Sequence, residues 1–258
     1  MTNYVDSADG VKIAYATSGS GEPALLFIHG GLADRTFWSN QIDAFADRFK
    51  VIAPDLVGHG ESGRQRSAWS IQAFGADIRA VLEVEKVKRA VLIGNSLGGP
   101  AAVEAAVLVP RRVIGVVGVD TFHLLDHRVD PSEMRARAAA YREDPAVFTK
   151  QLLSMLFHPD ADPVLVNDVE QRMARNSDES LGGMFESFAD YDPRISLRRL
   201  KVPIRCINGD LFPLDIEKNR LVYPDFDAVV FKHCGHYPML EQPEEFNRRL
   251  ADILSELR

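Results

Sequence analysis

Short apolar runs alternate with helical patterns along the first 120 residues, and this alternation restricts the possible folds more than any other feature. The runs Ala24–Ile28 and Ala90–Ile93 are separated by a helical pattern, an apolar run near Val51 and a second helical pattern at 70–84. Such alternation predicts βαβ units and a mostly parallel sheet. Both named runs are apolar at every position, as in strands covered on both faces, so we expect them at the centre of the sheet. The sequence therefore predicts an α/β fold.

A long stretch without strand patterns divides this sheet. A strand pattern at Val113–Val119 is followed by the next one only at Pro203. The residues between are helix formers interrupted by four Asp-Pro pairs. Asp before Pro ends one helix and caps the next, because Pro suits the first helical turn. We predict a helical cap at 121–202, inserted into a core domain made of 1–120 and 203–258.

Charge and composition exclude several classes of protein. The chain has 30 Lys and Arg against 37 Asp and Glu, a formal charge of -7, and no dense basic patch, which argues against a nucleic-acid partner. Its first residues do not resemble a secretory signal and no apolar run reaches membrane-spanning length, so we expect a cytoplasmic protein without a membrane partner. Cys206 and Cys234 are too few for a disulfide framework. The oligomeric state stays open.

The strongest chemical signal is Gly94-Asn95-Ser96-Leu97-Gly98, which lies between an apolar strand and a helical run. This is the strand-turn-helix context of a nucleophile elbow, in which the turn is so tight that only small residues fit at the flanking glycine positions. Ser96 would project alone at the start of the helix, where backbone amides favour a developing negative charge. We predict Ser96 as the nucleophile.

A glycine-rich turn, His29-Gly30-Gly31, follows the first central strand. Such a turn can direct an N–H into the crevice where open α/β sheets bind ligands. The sequence predicts an oxyanion hole made by the N–H groups of Gly31 and Leu97, with His29 holding the loop by a hydrogen bond.

The predicted base is His236, on the loop between the last strand pattern and the last helix. A base must reach the serine hydroxyl, and a late loop at the same edge of the sheet is a suitable place for it. His233, at the strand end, is the alternative.

Together these residues resemble the α/β-hydrolase superfamily, in its serine-nucleophile branch with a helical cap. Asp55–Ser62 is similar to a glycine-rich loop common in that superfamily, and the segment 235–246 to its histidine region. The resemblance implies an eight-stranded sheet, a cap, and no metal or organic cofactor. It also implies serine attack on a carbonyl, an acyl-enzyme and hydrolysis by water.

Two residues, Asp120 and Asp210, are candidates for the acid of the triad. The superfamily usually places it after the strand that here ends near Asn208, but the matching position holds Phe212, and Asp210 does not fit the spacing. Some members carry the acid before the cap, where this chain has Asp120. A carboxylate ending an apolar strand needs a partner, and orienting His236 would supply one, so we favour Asp120 over Asp210. A third interpretation makes Asp120 the N-cap of the first cap helix.

The predicted function is hydrolysis of a small to medium carboxylic ester. The cap is rich in Met and Phe, of which we expect only two or three to line an apolar pocket. Two alternatives stay open. The string from Gly94 to Gly99 also resembles hydrolases that cleave a carbon–carbon bond in ring-fission products of aromatic compounds, and the same fold can serve as a slow-turnover ligand receptor.

Overall fold

A single sheet of eight strands forms the centre of the molecule in the computed structural model, which describes residues 1–176, 178 and 181–257. Its strands run in the order β1-β2-β4-β3-β5-β6-β7-β8. Strand β2 is antiparallel to both of its neighbours, and all other neighbours pair in parallel. The strands are β1 (Thr2–Asp6), β2 (Lys12–Ser18), β3 (Ala24–Ile28), β4 (Val51–Pro54), β5 (Ala90–Asn95), β6 (Val113–Val119), β7 (Ile204–Gly209) and β8 (Phe226–Phe231).

The two runs predicted to be central strands are β3 and β5. They pair in parallel from Ala24 opposite Ala90 to Ile28 opposite Gly94, and every residue in both is buried. Helices cover both faces of the sheet, which is why these strands carry no polar alternation. The prediction of a mostly parallel α/β sheet is confirmed.

Helices connect the parallel strands from β3 to β8. α2 and α3 pack against each other, and α11 buries Phe246, Leu250, Ile253 and Leu254. No helix in the described part of the chain is long and apolar enough to span a membrane. The helices outside the 121–202 region are α1 (Ser39–Phe45), α2 (Ile71–Val84), α3 (Gly98–Leu108), α9 (Ile216–Val222), α10 (Pro238–Glu241) and α11 (Pro243–Glu256).

The region between β6 and β7 contains helices joined by loops, and no strand among its described residues. Its helices are α4 (Pro131–Glu143), α5 (Pro145–Leu153), α6 (Pro163–Asn176), α7 (Gly182–Ala189) and α8 (Pro193–Leu197). Asp130, Asp144 and Asp192 each accept a hydrogen bond from a first-turn N–H of the helix that follows, as the Asp-Pro pairs predict. The division into a cap at 121–202 and a core stays a prediction.

Parallel strands end at the same edge of the sheet, and this edge gathers the predicted site. The His29 turn follows β3, Ser96 follows β5, Asp120 follows β6 and the His236 loop follows β8. Ligands of open α/β sheets bind in the crevice outside these carboxyl ends.

Candidate active site

Ser96 lies in a tight turn between β5 and α3. Its φ of 50° is in the left-handed region, and its N–H donates to the Val119 carbonyl at 3.1 Å. A Cβ at Gly94 would lie 2.2 Å from the Gly98 carbonyl oxygen, and one at Gly98 would lie 2.4 Å from the Ile28 carbonyl oxygen. Both positions therefore require glycine, as the sequence predicts. A strained serine on a sharp turn is typical of an exposed nucleophile.

Asp120 and His236 are brought together. Asp120 is buried, with a φ of 42°, and its Oδ2 lies 2.5 Å from Nδ1 of His236. Its Oδ1 accepts the Gly209 N–H at 3.1 Å. The contact assigns the Nδ1–H tautomer to His236 and leaves Nε2 as the ring nitrogen for a substrate or hydroxyl. Both oxygens of Asp120 are thus used for purposes other than capping a helix.

The other candidate acid does not contact His236. Asp210 Oδ1 accepts the Cys234 N–H at 3.2 Å and lies 3.0 Å from Nε2 of His158. Desolvation opposes its ionisation, but the N–H groups of Cys234 and His233 and the His158 ring outweigh this, so the pKa of Asp210 lies below its usual value. The rival base His233 is exposed, with its ring 6.4 Å from that of His158.

Phe212, at the position where the resemblance leads one to expect the acid, packs edge-on against the His236 ring at a centroid distance of 6.4 Å. Its ring also contacts His123, 5.8 Å away, and Nε2 of His123 lies 3.9 Å from Asp120 Oδ2. A cleft of about 860 Å³ opens beside His123, with Leu214 and Ile216 among its walls. Burial lowers the pKa of His123 despite the nearby carboxylate.

Two buried histidines connect the glycine turn to the segment 56–59, because each ring accepts an N–H from the segment that carries the other. His29 Nε2 accepts the Leu56 N–H at 2.9 Å, and His59 Nε2 accepts the Leu32 N–H at 3.0 Å. Their Nδ1 atoms lie 2.7 Å and 3.0 Å from carbonyl oxygens, so both rings are neutral Nδ1–H tautomers. Burial lowers the pKa of His29, and it lowers that of His59 to about 3. His29 holds the loop as predicted. His59 holds the same loop from its other side, a specific contact that the sequence does not predict.

One predicted oxyanion donor, Leu97, follows Ser96 in the chain, and the other, Gly31, belongs to the glycine turn. A Cβ at Gly30 would lie 3.2 Å from the Ser96 Cβ, so the glycine turn backs directly onto the serine. Neither the Gly31 N–H nor the Leu97 N–H has a hydrogen-bond acceptor among the described residues. Amides without an intramolecular acceptor are what an oxyanion hole requires, and the Gly31 and Leu97 N–H groups stay the predicted donors.

Asn95, missed at the sequence level, connects the parts of the site. Its Nδ2 donates to the carbonyls of Val119 and His236, both at 3.0 Å. Its Oδ1 is buried without a partner among the described residues and lies 2.7 Å from where a Gly30 Cβ would be. The residue before Ser96 therefore binds the strand that ends at Asp120 and the loop of His236. A buried polar residue inside an apolar strand was the available signal.

The walls around these residues are largely apolar. The Met184 sulfur lies 2.7 Å from where a Gly31 Cβ would be, so α7 covers the glycine turn. Phe122 packs against Gly118 of β6 and Gly99 of α3. The Tyr237 ring lies 5.1 Å from that of His236. No group of three His, Cys, Asp or Glu side chains in the described residues is arranged to hold a metal ion.

Comparisons with known proteins identify the family of this chain. The model of the alpha/beta hydrolase family matches residues 25–249. A 2-hydroxy-6-oxononadienedioate/2-hydroxy-6-oxononatrienedioate hydrolase of Burkholderia vietnamiensis is 31% identical, over 98% of this chain and 94% of its own. A 3-oxoadipate enol-lactonase of Acinetobacter baylyi is 26% identical, over 96% and 95% of the two chains. The solved structure of an esterase from Thermogutta terrifontis has the same fold, with a TM-score of 0.87 at 24% identity, over 100% of this chain and 99% of that one. The chain belongs to the alpha/beta hydrolase family.

Proposed function

We propose that this hydrolase cleaves small to medium carboxylic esters, with Ser96 as nucleophile, His236 as base and Asp120 as acid. The observation that carries the proposal is the 2.5 Å contact between Asp120 Oδ2 and His236 Nδ1. Asn95, the residue next to Ser96, holds the loop of His236 by donating from Nδ2 to the His236 carbonyl at 3.0 Å. Nucleophile, base and orienting acid are the three roles that serine catalysis needs.

The proposed reaction has two steps. Nε2 of His236 takes the proton of the Ser96 hydroxyl while the oxygen attacks the ester carbonyl, and the N–H groups of Gly31 and Leu97 stabilise the oxyanion. The imidazolium, stabilised by Asp120, then protonates the leaving alcohol, which departs and leaves an acyl-enzyme. Water, activated by the same imidazole, attacks the acyl carbonyl, releasing the carboxylic acid and restoring the serine hydroxyl.

Two features support an ester as substrate. Met184, Phe122 and Phe212 surround the site with apolar surface, which suits a small apolar acyl or alcohol group. The relative from Acinetobacter baylyi is named as a lactonase, and a lactone is a cyclic ester.

A second candidate is hydrolysis of a carbon–carbon bond next to a ketone. The relative from Burkholderia vietnamiensis, at 31% identity over 98% of this chain, is named for a ring-fission product of this kind. The same serine and oxyanion donors would serve that reaction, since both begin at a carbonyl carbon.

The test is hydrolysis of p-nitrophenyl acetate and butyrate, of a small lactone, and of a ring-fission 2-hydroxy-6-oxo dienoate. We expect turnover of the esters, lost by orders of magnitude in Ser96→Ala and His236→Ala with the fold intact by circular dichroism. Wild-type rates in Ser96→Ala would overturn the mechanism. Turnover of the dienoate with none of either ester would assign the carbon–carbon reaction instead.

A further inference from the structure

The segment 156–158, which follows α5 in the predicted cap, lies directly against the loop that carries His236. The Leu156 carbonyl accepts the His236 N–H at 2.8 Å. The Phe157 ring lies 5.5 Å from the Tyr237 ring, and Nε2 of His158 lies 3.0 Å from Asp210 Oδ1. Each of the three residues thus contacts either the loop 234–237, called the base loop below, or Asp210 beside it.

No space separates the two segments. A Cβ at Gly235 would lie 2.4 Å from the Leu156 carbonyl oxygen and 3.1 Å from the Phe157 Cα. Only glycine allows this approach, so a displacement of the segment 156–158 would be transmitted to the residue before His236.

The main chain of the base loop shows why this contact matters. The N–H groups of Gly235 and Tyr237 both donate to the Glu241 carboxylate, at 2.8 and 3.0 Å, and that of Cys234 donates to Asp210. The His236 N–H, between them, donates to Leu156 instead. Buried amides need partners, and the partner of the base itself comes from the inserted region rather than from the core.

Asp210 links the two sides. Its Oδ1 meets both the Cys234 N–H and His158 Nε2, and its own N–H donates to the Cys234 carbonyl at 3.0 Å. Because Asp120 contacts His236, the Asp210 carboxylate is available to hold His158, and through it the segment 156–158, against the base loop.

We propose that the segment 156–158 positions His236, and that His158, bound to Asp210, is a positioning residue for the reaction. The proposal rests on the proposed function in taking His236 as the base. Its physical effect is to fix the imidazole between Asp120 and the serine hydroxyl, where a displacement of about 1 Å costs on the order of 100-fold in rate.

The test compares His158→Phe, which keeps a ring but removes the hydrogen bond, with His158→Gln, whose amide N–H can still reach Asp210. The matched control is His233→Asn, a change on an exposed neighbour whose φ of 50° asparagine tolerates. Two quantities are measured: the proton resonance of His236 Nδ1–H, assigned by its loss in His236→Ala, and kcat and KM for p-nitrophenyl butyrate. The resonance needs no substrate, so it reports on positioning even if the ester proves to be the wrong substrate.

We expect His158→Phe to shift or broaden the Nδ1–H resonance and to lower kcat about tenfold with little change in KM. His158→Gln should restore most of both, and His233→Asn should match the wild type. An unchanged Nδ1–H resonance in folded His158→Phe overturns the proposal. This holds also if KM rises, because the segment 156–158 would then contribute to substrate binding and not to the position of His236. Failure of Gln to restore the resonance also overturns it. If His158→Phe does not fold, Asp210→Ala removes the same link from the other side and is scored by the same criteria.

Discussion

Two carboxylates at the ends of neighbouring strands make different contacts. Asp120 follows β6 with a side chain that is 0% exposed, whereas Asp210 follows β7 with one that is 24% exposed. Asp120 divides its oxygens, one for the His236 ring and one for the Gly209 N–H. Asp210 uses a single oxygen for both the Cys234 N–H and the His158 ring.

The difference shows that strand position alone does not assign a catalytic acid. Both carboxylates sit at the edge of the sheet where the site lies, and both contact a histidine. The two carboxylates differ in the histidine that each one contacts, and in whether one or both carboxylate oxygens accept these hydrogen bonds. Substitutions that leave the shape of the carboxylate unchanged can therefore distinguish their roles.

Asp120→Asn should have the largest effect. An amide presents one oxygen and one NH₂, so it must direct NH₂ either at the Gly209 N–H or at His236 Nδ1–H. The second choice forces the ring into the other tautomer, which cannot take the serine proton. We expect kcat for p-nitrophenyl butyrate to fall about 10⁴-fold. The same substitution of the triad acid lowers kcat of serine proteases by this factor, because the histidine takes the wrong tautomer. A loss of less than tenfold, in a folded variant, would remove Asp120 from the triad.

Asn219→Ala tests what holds Asp120 in place. Asn219, buried in α9, donates to the Phe122 carbonyl at 2.7 Å and accepts the Leu125 N–H at 2.7 Å. These bonds fix the loop that follows Asp120, in which Phe122 also has a positive φ of 56°. We expect a loss of about 2 to 3 kcal/mol in the free energy of unfolding, because buried groups are left unpaired.

Urea unfolding of Asn219→Ala measures this loss, and Lys218→Ala, an exposed change on the same helix, is the control. The control should stay within about 0.5 kcal/mol of the wild type. Equal stability of the two variants would show that the loop is held by other contacts.

Acid should destabilise the fold through the buried histidine pair. Burial lowers the pKa of His59 to about 3. Between about pH 3 and pH 6.5 the ring therefore takes up a second proton in the unfolded chain but stays neutral in the folded state. Stability must therefore fall as pH drops below the ordinary value of 6.5, by up to about 1.4 kcal/mol per pH unit for this group, until its folded pKa is reached.

Urea unfolding between pH 4 and 7 measures the slope for wild type and for His59→Gln, whose amide oxygen can still accept the Leu32 N–H without titrating. The variant should show a shallower decline. The same slope in both proteins would mean that other groups cause the acid sensitivity.

Much of this arrangement follows from local sequence, and some does not. The apolar runs of β3 and β5, the Asp-Pro starts of the inserted helices and the glycines around Ser96 act within a few residues, so the sequence predicts them. The antiparallel β1 and β2 were not predicted, because both are only partly buried and neither is a continuous apolar run.

Long-range contacts were harder to predict. Asn95 meets His236, 141 residues away in the chain, and His158 meets Asp210 across 52 residues. In neither pair does the sequence around one residue indicate which distant residue it contacts. Asp120 could be anticipated for two reasons: a carboxylate that ends an apolar strand must find a partner, and the family resemblance offers this position for the acid.

Asp210→Asn should have the smallest effect, and it is the matched counterpart of Asp120→Asn. The asparagine oxygen can replace Asp210 Oδ1 and still accept from the Cys234 N–H and from His158 Nε2–H. The NH₂ group would take the place of Oδ2, whose ion pair with the exposed Lys232, at 3.9 Å, is worth little. We therefore expect kcat within about threefold of the wild type, which corresponds to less than about 0.7 kcal/mol. Measured side by side with p-nitrophenyl butyrate, the two amide variants should differ by more than a thousandfold. If instead Asp210→Asn shows the larger loss, the acid follows β7 after all, and the contact between Asp120 and His236 does not serve catalysis.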